Sequence, residues 1–358
     1  MTTKNAPNIR PDAKLINLAL QGGGAHGAFT WGVLDRLLED DRIVIEALSG
    51  TSAGAMNAVV LADGLKRGGP EVARERLRLF WEQVSRAASF SPIQRGMTDM
   101  WTGNWSLDQS PAYLFFDMMT HAMSPYQFNP FNFNPLQEII KRLVDFEAVR
   151  ACDNLKLFIS ATNVETGRVK VFHREDITAE TVMASACLPV VFHAIEIEGQ
   201  HYWDGGYMGN PVLFPFYKTC EASDILIVQI NPVKHKGVPV TAHGILDRIN
   251  EISFNASLLG ELRSIDFVNR MLSEGRLDNT RYRSMNVHLI EGHEELAELG
   301  ISSKFNAERS FIERLFGFGR AATDTWLDAS FDDIGQRSTV DIRRMFQGDG
   351  YDAAKVSI

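Results

Sequence analysis

Gly50-Thr51-Ser52-Ala53-Gly54 closely follows an apolar run, residues 43–48, that has the composition of a buried β-strand. A serine between glycines at this spacing is typical of a nucleophile elbow, a tight turn from a strand into a helix. The glycines allow close backbone contacts, and the serine hydroxyl lies at a helix N-terminus, where negative charge is favoured. The same five-residue pattern also arises by chance, so its meaning depends on the rest of the chain.

A second glycine-rich turn precedes the serine motif. Residues 15–20 form an apolar strand pattern, followed by Gln21-Gly22-Gly23-Gly24-Ala25-His26-Gly27 and by helical spacing over residues 28–38. One interpretation is a dinucleotide fingerprint, with Glu46 holding a ribose. The other is an oxyanion loop, whose N–H groups face the serine of the neighbouring strand. We favour the oxyanion loop because the next strand runs directly into the serine motif.

A serine hydroxyl needs a base that removes its proton. In a Ser-His-Asp enzyme this base is a histidine, and none of the candidates lies in a recognisable loop setting. The candidates are His173, His193, His201, His235, His243, His288 and His293. Asp204 is better placed, because it ends a strand-like run and is followed by Gly205 and Gly206, which allow another loop to approach closely. A plain Asp-Gly turn is the alternative.

These motifs together resemble the patatin-like phospholipase family. The resemblance rests on the glycine run 22–27, the serine motif 50–54, Asp204-Gly205-Gly206 and the stretch Ala184-Ser185-Ala186-Cys187-Leu188-Pro189-Val190-Val191-Phe192. The four motifs occur in the family's order over residues 14–212, which is far more specific than any one of them. The resemblance implies an α/β protein of three layers, in which a mixed, mostly parallel sheet lies between helices.

The resemblance also implies a function and a site. It implies hydrolysis of lipid carboxylic esters, of the phospholipase A or lysophospholipase type, through a Ser-Asp dyad and an acyl-enzyme. The implied roles are nucleophile for Ser52, general base for Asp204, oxyanion hole for Gly22, Gly23, Gly24 and Ala53, and motif support for Gly50, Gly54, Gly205, Gly206 and His26. Many relatives carry arginine where this chain has His26, which leaves the role of that position open.

Two other functions remain alternatives, and no cofactor or metal is implied. An acyltransferase would use the same acyl-enzyme, and a non-catalytic lipid-binding or regulatory protein would keep only the scaffold. No histidine–carboxylate cluster has the spacing of metal ligands.

The predicted organisation has two parts. Residues 14–231 form the catalytic domain, with an aromatic and methionine-rich insertion at about 90–135 that is interpreted as a lid, an acyl-chain pocket, a dimer contact or a locally packed segment. Residues 232–358 form a mainly helical C-terminal extension packed on the core. It includes an amphipathic helix near 245–272, whose apolar positions keep three- and four-residue steps on one face.

Composition limits the partners and the compartment. The 358 residues carry a net charge of −9, which argues against nucleic acid and against delocalised attraction to anionic lipid. The three cysteines are widely spaced, which suits a reducing compartment, and the polar N-terminus resembles no signal peptide. We therefore expect a cytoplasmic protein with a lipid or lysophospholipid substrate, compatible with peripheral membrane contact and with a homo-oligomer.

Overall fold

The computed structural model describes residues 12–348, except residue 236, residues 293–295 and residues 297–298. One eight-stranded sheet forms its centre, in the order β5-β6-β3-β2-β1-β7-β8, with β4 paired to β3. The strands are β1 (Lys14–Leu20), β2 (Ile43–Gly50), β3 (Lys156–Asn163), β4 (Val169–His173), β5 (Ile195–Ile197), β6 (Gln200–Asp204), β7 (Asp224–Gln229) and β8 (Asn286–Glu291).

Strands β3, β2, β1, β7 and β8 run parallel, whereas β4 and β6 are antiparallel to β3, and β5 is antiparallel to β6. The last residues of β1 and β2 are direct neighbours, Leu20 beside Gly50. Because parallel strands end at the same edge of a sheet, both glycine-rich turns of the sequence lie side by side there.

Helices cover both faces of the sheet. Alternate residues of one strand enter different cores: Leu18 and Leu20 pack on one side, and Ala19 packs on the other. The helices are α1 (Gly27–Glu39), α2 (Ala53–Gly68), α3 (Pro70–Ala88), α4 (Met97–Thr102), α5 (Pro111–Ala122), α6 (Pro125–Phe128), α7 (Pro135–Leu143), α8 (Phe146–Arg150), α9 (Ala179–Ser185), α10 (Phe214–Thr219), α11 (Ala242–Ser273), α12 (Arg309–Ser330) and α13 (Ile342–Gln347). The predicted α/β fold with a mostly parallel sheet is confirmed.

The C-terminal part of the chain is joined to this sheet. Strand β8 extends it beyond β7, and α12 packs on α1 so closely that a Cβ on Gly32 or Gly319 would clash with the facing backbone. The long helix α11 forms as predicted, but its apolar face is buried only in part. Leu258 and Leu262 are fully buried, but the apolar side chains of its first half are exposed.

The insertion consists of three short helices, because its prolines start new helices instead of continuing one. It is anchored by buried residues such as Leu107 and Tyr113, yet Trp101 is 89% and Phe131 94% exposed. Within the described ranges, no helix is long and apolar enough to span a membrane.

Candidate active site

Ser52 occupies the turn between β2 and α2, as the serine motif predicts. Its backbone has φ 53° and ψ −119°, a left-handed conformation that costs a non-glycine residue about 1–3 kcal/mol. Hydrogen bonds hold this turn: the Thr51 N–H donates to the Leu20 carbonyl, and the Gly54 N–H donates to the Thr51 carbonyl at 2.8 Å. The Ser52 side chain is half-buried at the start of α2.

The neighbouring glycines are needed for space. A Cβ on Gly50 would lie 2.7 Å from the Gly54 carbonyl oxygen, and one on Gly54 would clash with the Leu20 carbonyl. A Cβ on Gly22 would lie 2.6 Å from the Ser52 Cβ. The glycine loop, residues 22–24, therefore packs directly against the serine turn.

Asp204 comes to the same edge of the sheet from the other side of β2. It ends β6, which pairs with β3, the neighbour of β2. Its N–H donates to the Cys187 carbonyl at 2.8 Å, and its carbonyl accepts from the Thr162 hydroxyl at 2.8 Å. The residue after Asp204 must be glycine, because a Cβ on Gly205 would clash with Ser160. These contacts fix the backbone that carries the Asp204 side chain.

The Asp204 carboxyl is fully buried, and its two oxygens differ. Oδ1 accepts from the Gly206 N–H at 2.7 Å, whereas Oδ2 is buried and has no hydrogen-bond partner among the described residues. The Ser52 hydroxyl lies beside the carboxyl, near enough to lower its pKa, but the two groups are outside hydrogen-bond geometry. Burial raises the pKa of Asp204 to about 7, against smaller lowering effects of the Gly206 N–H, the Ser52 hydroxyl and the Lys304 charge.

The glycine loop is held by a network of side-chain amides. The Gly22 N–H donates to Asn210 Oδ1 at 2.7 Å, and the Gly22 carbonyl accepts from Asn231 Nδ2 at 2.7 Å. Gln21 Oε1 accepts from the Asn231 N–H at 2.9 Å. Because Gly22 has already donated its N–H, it is not a free donor for an oxyanion.

Gly23, Gly24 and Ala53 lie around the same turn. Gly24 has φ +58° and is exposed, and Ala53 is the first residue of α2, whose N–H has no acceptor within the helix. These residues are the remaining candidates for an oxyanion hole.

His26 is a buried anchor of this loop and does not carry charge. Its Nε2 is 2.7 Å from Ser303 Oγ, and Ser303 Oγ donates to the Gly300 carbonyl, which leaves Nε2–H to donate to Ser303. Burial, and secondarily the Lys304 charge, lower the pKa of His26 to about 3. The imidazole is therefore neutral at physiological pH, and it joins the glycine loop to the short 3₁₀ helix Ile301–Phe305.

Sequence reasoning missed several residues that position the site. Ser185 accepts the Ser52 N–H at 2.9 Å, and Cys187 accepts the Asp204 N–H, so one short stretch holds both candidate residues. The signal was available, since both lie in the 184–192 motif. Asn210, Asn231 and Lys304 had no local signal, because they reach the site only through the tertiary fold.

The alternative histidine base finds no support among the described residues. No described histidine is hydrogen-bonded to the Ser52 hydroxyl; His288, for example, is buried against Asp224 at 2.9 Å. The side chain of His243 and all of His293 lie outside the described residues. The ribose role of Glu46 is also unsupported, because its carboxylate accepts the Ala222 N–H and pairs with Lys156.

A cavity of about 670 Å³ lies away from this site. It is an ion-paired groove between α1, α3 and α12 that contains neither Ser52 nor Asp204. Among the described residues, no group of three or more histidine, cysteine or acidic side chains is arranged to hold a metal ion.

Comparison with known proteins assigns the chain to a family. The sequence profile of patatin-like phospholipases matches residues 18–217, more than half of the chain. Among solved structures, VipD from Legionella pneumophila is 17% identical, with a TM-score of 0.37, over 89% of this chain and 67% of VipD. ExoU from Pseudomonas aeruginosa, solved in complex with SpcU, is 16% identical, with a TM-score of 0.28, over 88% of this chain and 53% of ExoU. No curated protein sequence matches the chain. On the extent of the profile match, the chain belongs to the patatin-like phospholipase family.

Proposed function

We propose that this protein hydrolyses carboxylic esters of lipids through an acyl-enzyme on Ser52, with Asp204 as general base. Membership of a phospholipase family supports the lipid substrate. The observation that carries the dyad is the buried Oδ2 of Asp204, which has no other described partner and lies beside the Ser52 hydroxyl. An unpartnered buried carboxylate oxygen is costly, and such groups are typical of functional sites.

In the proposed acylation, the Ser52 oxygen attacks the ester carbonyl while its proton passes to Asp204. A carboxylate with a pKa near 3.9 is a weak base, but burial raises the pKa of Asp204 to about 7, which is suited to proton transfer at neutral pH. The C–O bond to the leaving alcohol then breaks, and that alcohol takes the proton from Asp204. The N–H groups of Gly23, Gly24 and Ala53 would stabilise the oxyanion, each donor being worth roughly 3–4 kcal/mol.

Deacylation repeats these steps with water. Asp204 takes a proton from the attacking water, the tetrahedral adduct collapses, and Ser52 regains its proton as the fatty acid leaves. Ser185 acts on both steps as a positioning residue, because it holds the Ser52 N–H without touching the substrate.

The exposed apolar residues suggest how the site meets lipid. The insertion has ten aromatic residues, and its single arginine or lysine is Arg95, which is paired with Glu308. Its Tyr113 and Phe116 rings lie about 6 Å from Phe305, next to the segment that covers the glycine loop. We therefore propose that exposed apolar side chains at the rim of the site enter the lipid surface, and that charge attraction does not drive this contact.

The proposed function predicts a rise of activity with pH. Asp204 acts only when ionised, so kcat/KM should increase about tenfold per pH unit below about 7 and level off above it, following the raised pKa of this carboxyl. Initial rates on a soluble short-chain ester between pH 5 and 8.5 measure this profile. An acid limb near 4, where ordinary carboxyls titrate, would contradict the assignment.

Product analysis tests the reaction itself. The protein is incubated with zwitterionic phospholipid or lysophospholipid vesicles, with and without an added alcohol acceptor, and both free fatty acid and new ester are measured. We expect free fatty acid as the main product and little change with salt. Transfer to the acceptor instead of water would favour an acyltransferase. Binding without any product, together with no labelling by a fluorophosphonate probe, would favour a non-catalytic lipid-binding protein.

A further inference from the structure

The short helix Ile301–Phe305 lies directly on the glycine loop, although it is far outside the profile match of residues 18–217. Ser303 accepts from His26, and a Cβ on Gly24 would lie 2.5 Å from the Lys304 carbonyl oxygen. The other side of this segment faces the insertion, where the Ser302 hydroxyl accepts the Leu107 N–H at 2.9 Å. The segment is therefore fixed in place over the loop.

Lys304 extends from this segment to the amide network under the loop. Its Nζ donates to Asn231 Oδ1 at 2.7 Å, and Asn231 Nδ2 donates to the Gly22 carbonyl. No described carboxylate lies within ion-pair distance of this ammonium group. A largely enclosed ammonium without an ion pair is unusual in a purely structural role.

The titratable groups around Lys304 come from three elements. Asp204 faces it from the end of β6, and Asp247 and Glu251 face it from α11, where Glu251 is also paired with Arg248. The neutral His26 faces it from the glycine loop. All three carboxylates favour the charged lysine, while its burial lowers its pKa from the ordinary value.

We propose that Lys304 is the cation of the glycine loop: it positions the loop through Asn231, and its positive charge favours negative charge at the Asp204 carboxylate and at the oxyanion. This inference rests on the proposed function. It assigns to the C-terminal part of the chain a positive charge that the glycine run itself lacks, since the only titratable residue of that run is the uncharged His26. Lys304 is a positioning residue here and does not contact the reacting atoms.

The test compares Lys304→Gln, which is neutral but can still donate to Asn231, with Lys304→Arg, which keeps the charge. The exposed Lys218→Met serves as the control. The second-order rate of reaction with a fluorophosphonate probe is measured from pH 5 to 10.5, with thermal unfolding to verify the fold. Lys304→Gln should react at least tenfold more slowly, and its acid limb should move to higher pH because the Asp204 carboxylate loses a stabilising charge.

The arginine variant gives an independent test if the glutamine variant fails to fold. The reaction rate of the wild type should fall again at alkaline pH, below pH 10.5, as Lys304 loses its proton. This fall is the alkaline limb of the pH profile. Lys304→Arg should abolish that limb, because arginine stays charged. The inference would be overturned if a folded Lys304→Gln variant reacted at the wild-type rate with the wild-type pH profile. It would also be overturned if the fall of the rate at alkaline pH were unchanged in Lys304→Arg. A wild-type protein that does not react at all would instead remove the proposed function.

Discussion

Ser52→Ala should abolish turnover, with a loss of roughly four to six orders of magnitude in kcat, as when an acyl-enzyme nucleophile is removed elsewhere. The variant should also lose all labelling by a fluorophosphonate probe, since the phosphorus bond forms to this oxygen. Alanine keeps the Cβ and the left-handed backbone of the turn, so the fold and its strain should be unchanged. Ester hydrolysis, probe labelling and thermal unfolding measure the three effects.

The control for Ser52 is Ser264→Ala, which removes a hydroxyl from the exposed face of α11. It should label and turn over like the wild type. Labelling of Ser52→Ala at the wild-type rate would place the nucleophile elsewhere and remove the proposed mechanism.

Asp204→Asn should reduce kcat by about four orders of magnitude, because an amide cannot accept the serine proton. The amide oxygen can still accept the Gly206 N–H, and the amide nitrogen takes the place of the unpartnered Oδ2 beside Ser52. The site should therefore stay intact while the base is lost. Residual turnover that disappears after a His→Ala change would instead indicate a triad.

The same substitution should stabilise the protein at alkaline pH. The pKa of Asp204 is about 7 in the fold and about 3.9 in an unfolded chain, so native-state stability falls as pH rises between these values. Asparagine avoids that loss, and its advantage in unfolding free energy should grow from pH 4 to pH 8 by up to about 4 kcal/mol. Urea unfolding at both pH values measures this difference.

A second buried aspartate, Asp224, should show the opposite dependence of stability on pH. Burial alone would raise the pKa of Asp224, but hydrogen bonds from His288, the Gly335 N–H and Asn286 hold it below its usual value. Its ionised form therefore supports the fold above pH 4, and Asp224→Asn should lose stability there. Equal effects in Asp224→Asn and Asp204→Asn would contradict the assigned difference between the two carboxyls.

Much of the fold could be predicted because local patterns and tertiary structure agree. The apolar strands β1 and β2, the turn at Ser52 and the hairpin of β3 and β4 follow from composition and glycine placement. Helix α11 is a partial exception: its regular spacing predicts a helix with one apolar face, but burial of that face depends on what packs against it. Its first half has exposed Ile245, Ile249 and Ile252. The spacing of apolar residues predicts the helix and its apolar face, but not which elements pack against that face.

The candidate site also combines residues that the sequence predicts with residues that it does not. Ser52 and Asp204 lie in recognisable motifs, so their identity could be predicted, although their role remains a proposal. The donors that hold them are contributed by residues distant in sequence, such as Asn231 and Lys304, which no local pattern marks. Gly22 illustrates this: the glycine run predicts a free N–H, whereas the Gly22 N–H donates to Asn210 Oδ1.

The contact between α1 and α12 has a consequence for synthesis of the protein. The glycine pair Gly32 and Gly319 brings α1 and α12 into backbone contact, although the two helices are far apart in the sequence. The ribosome releases α1 long before α12, so one face of α1 stays uncovered until residues 309–330 have been made. A nascent chain that ends near residue 231 would expose this face together with the unpaired edge of β7. The candidate site would then be complete only after the segment Ile301–Phe305 has emerged and packed on the glycine loop.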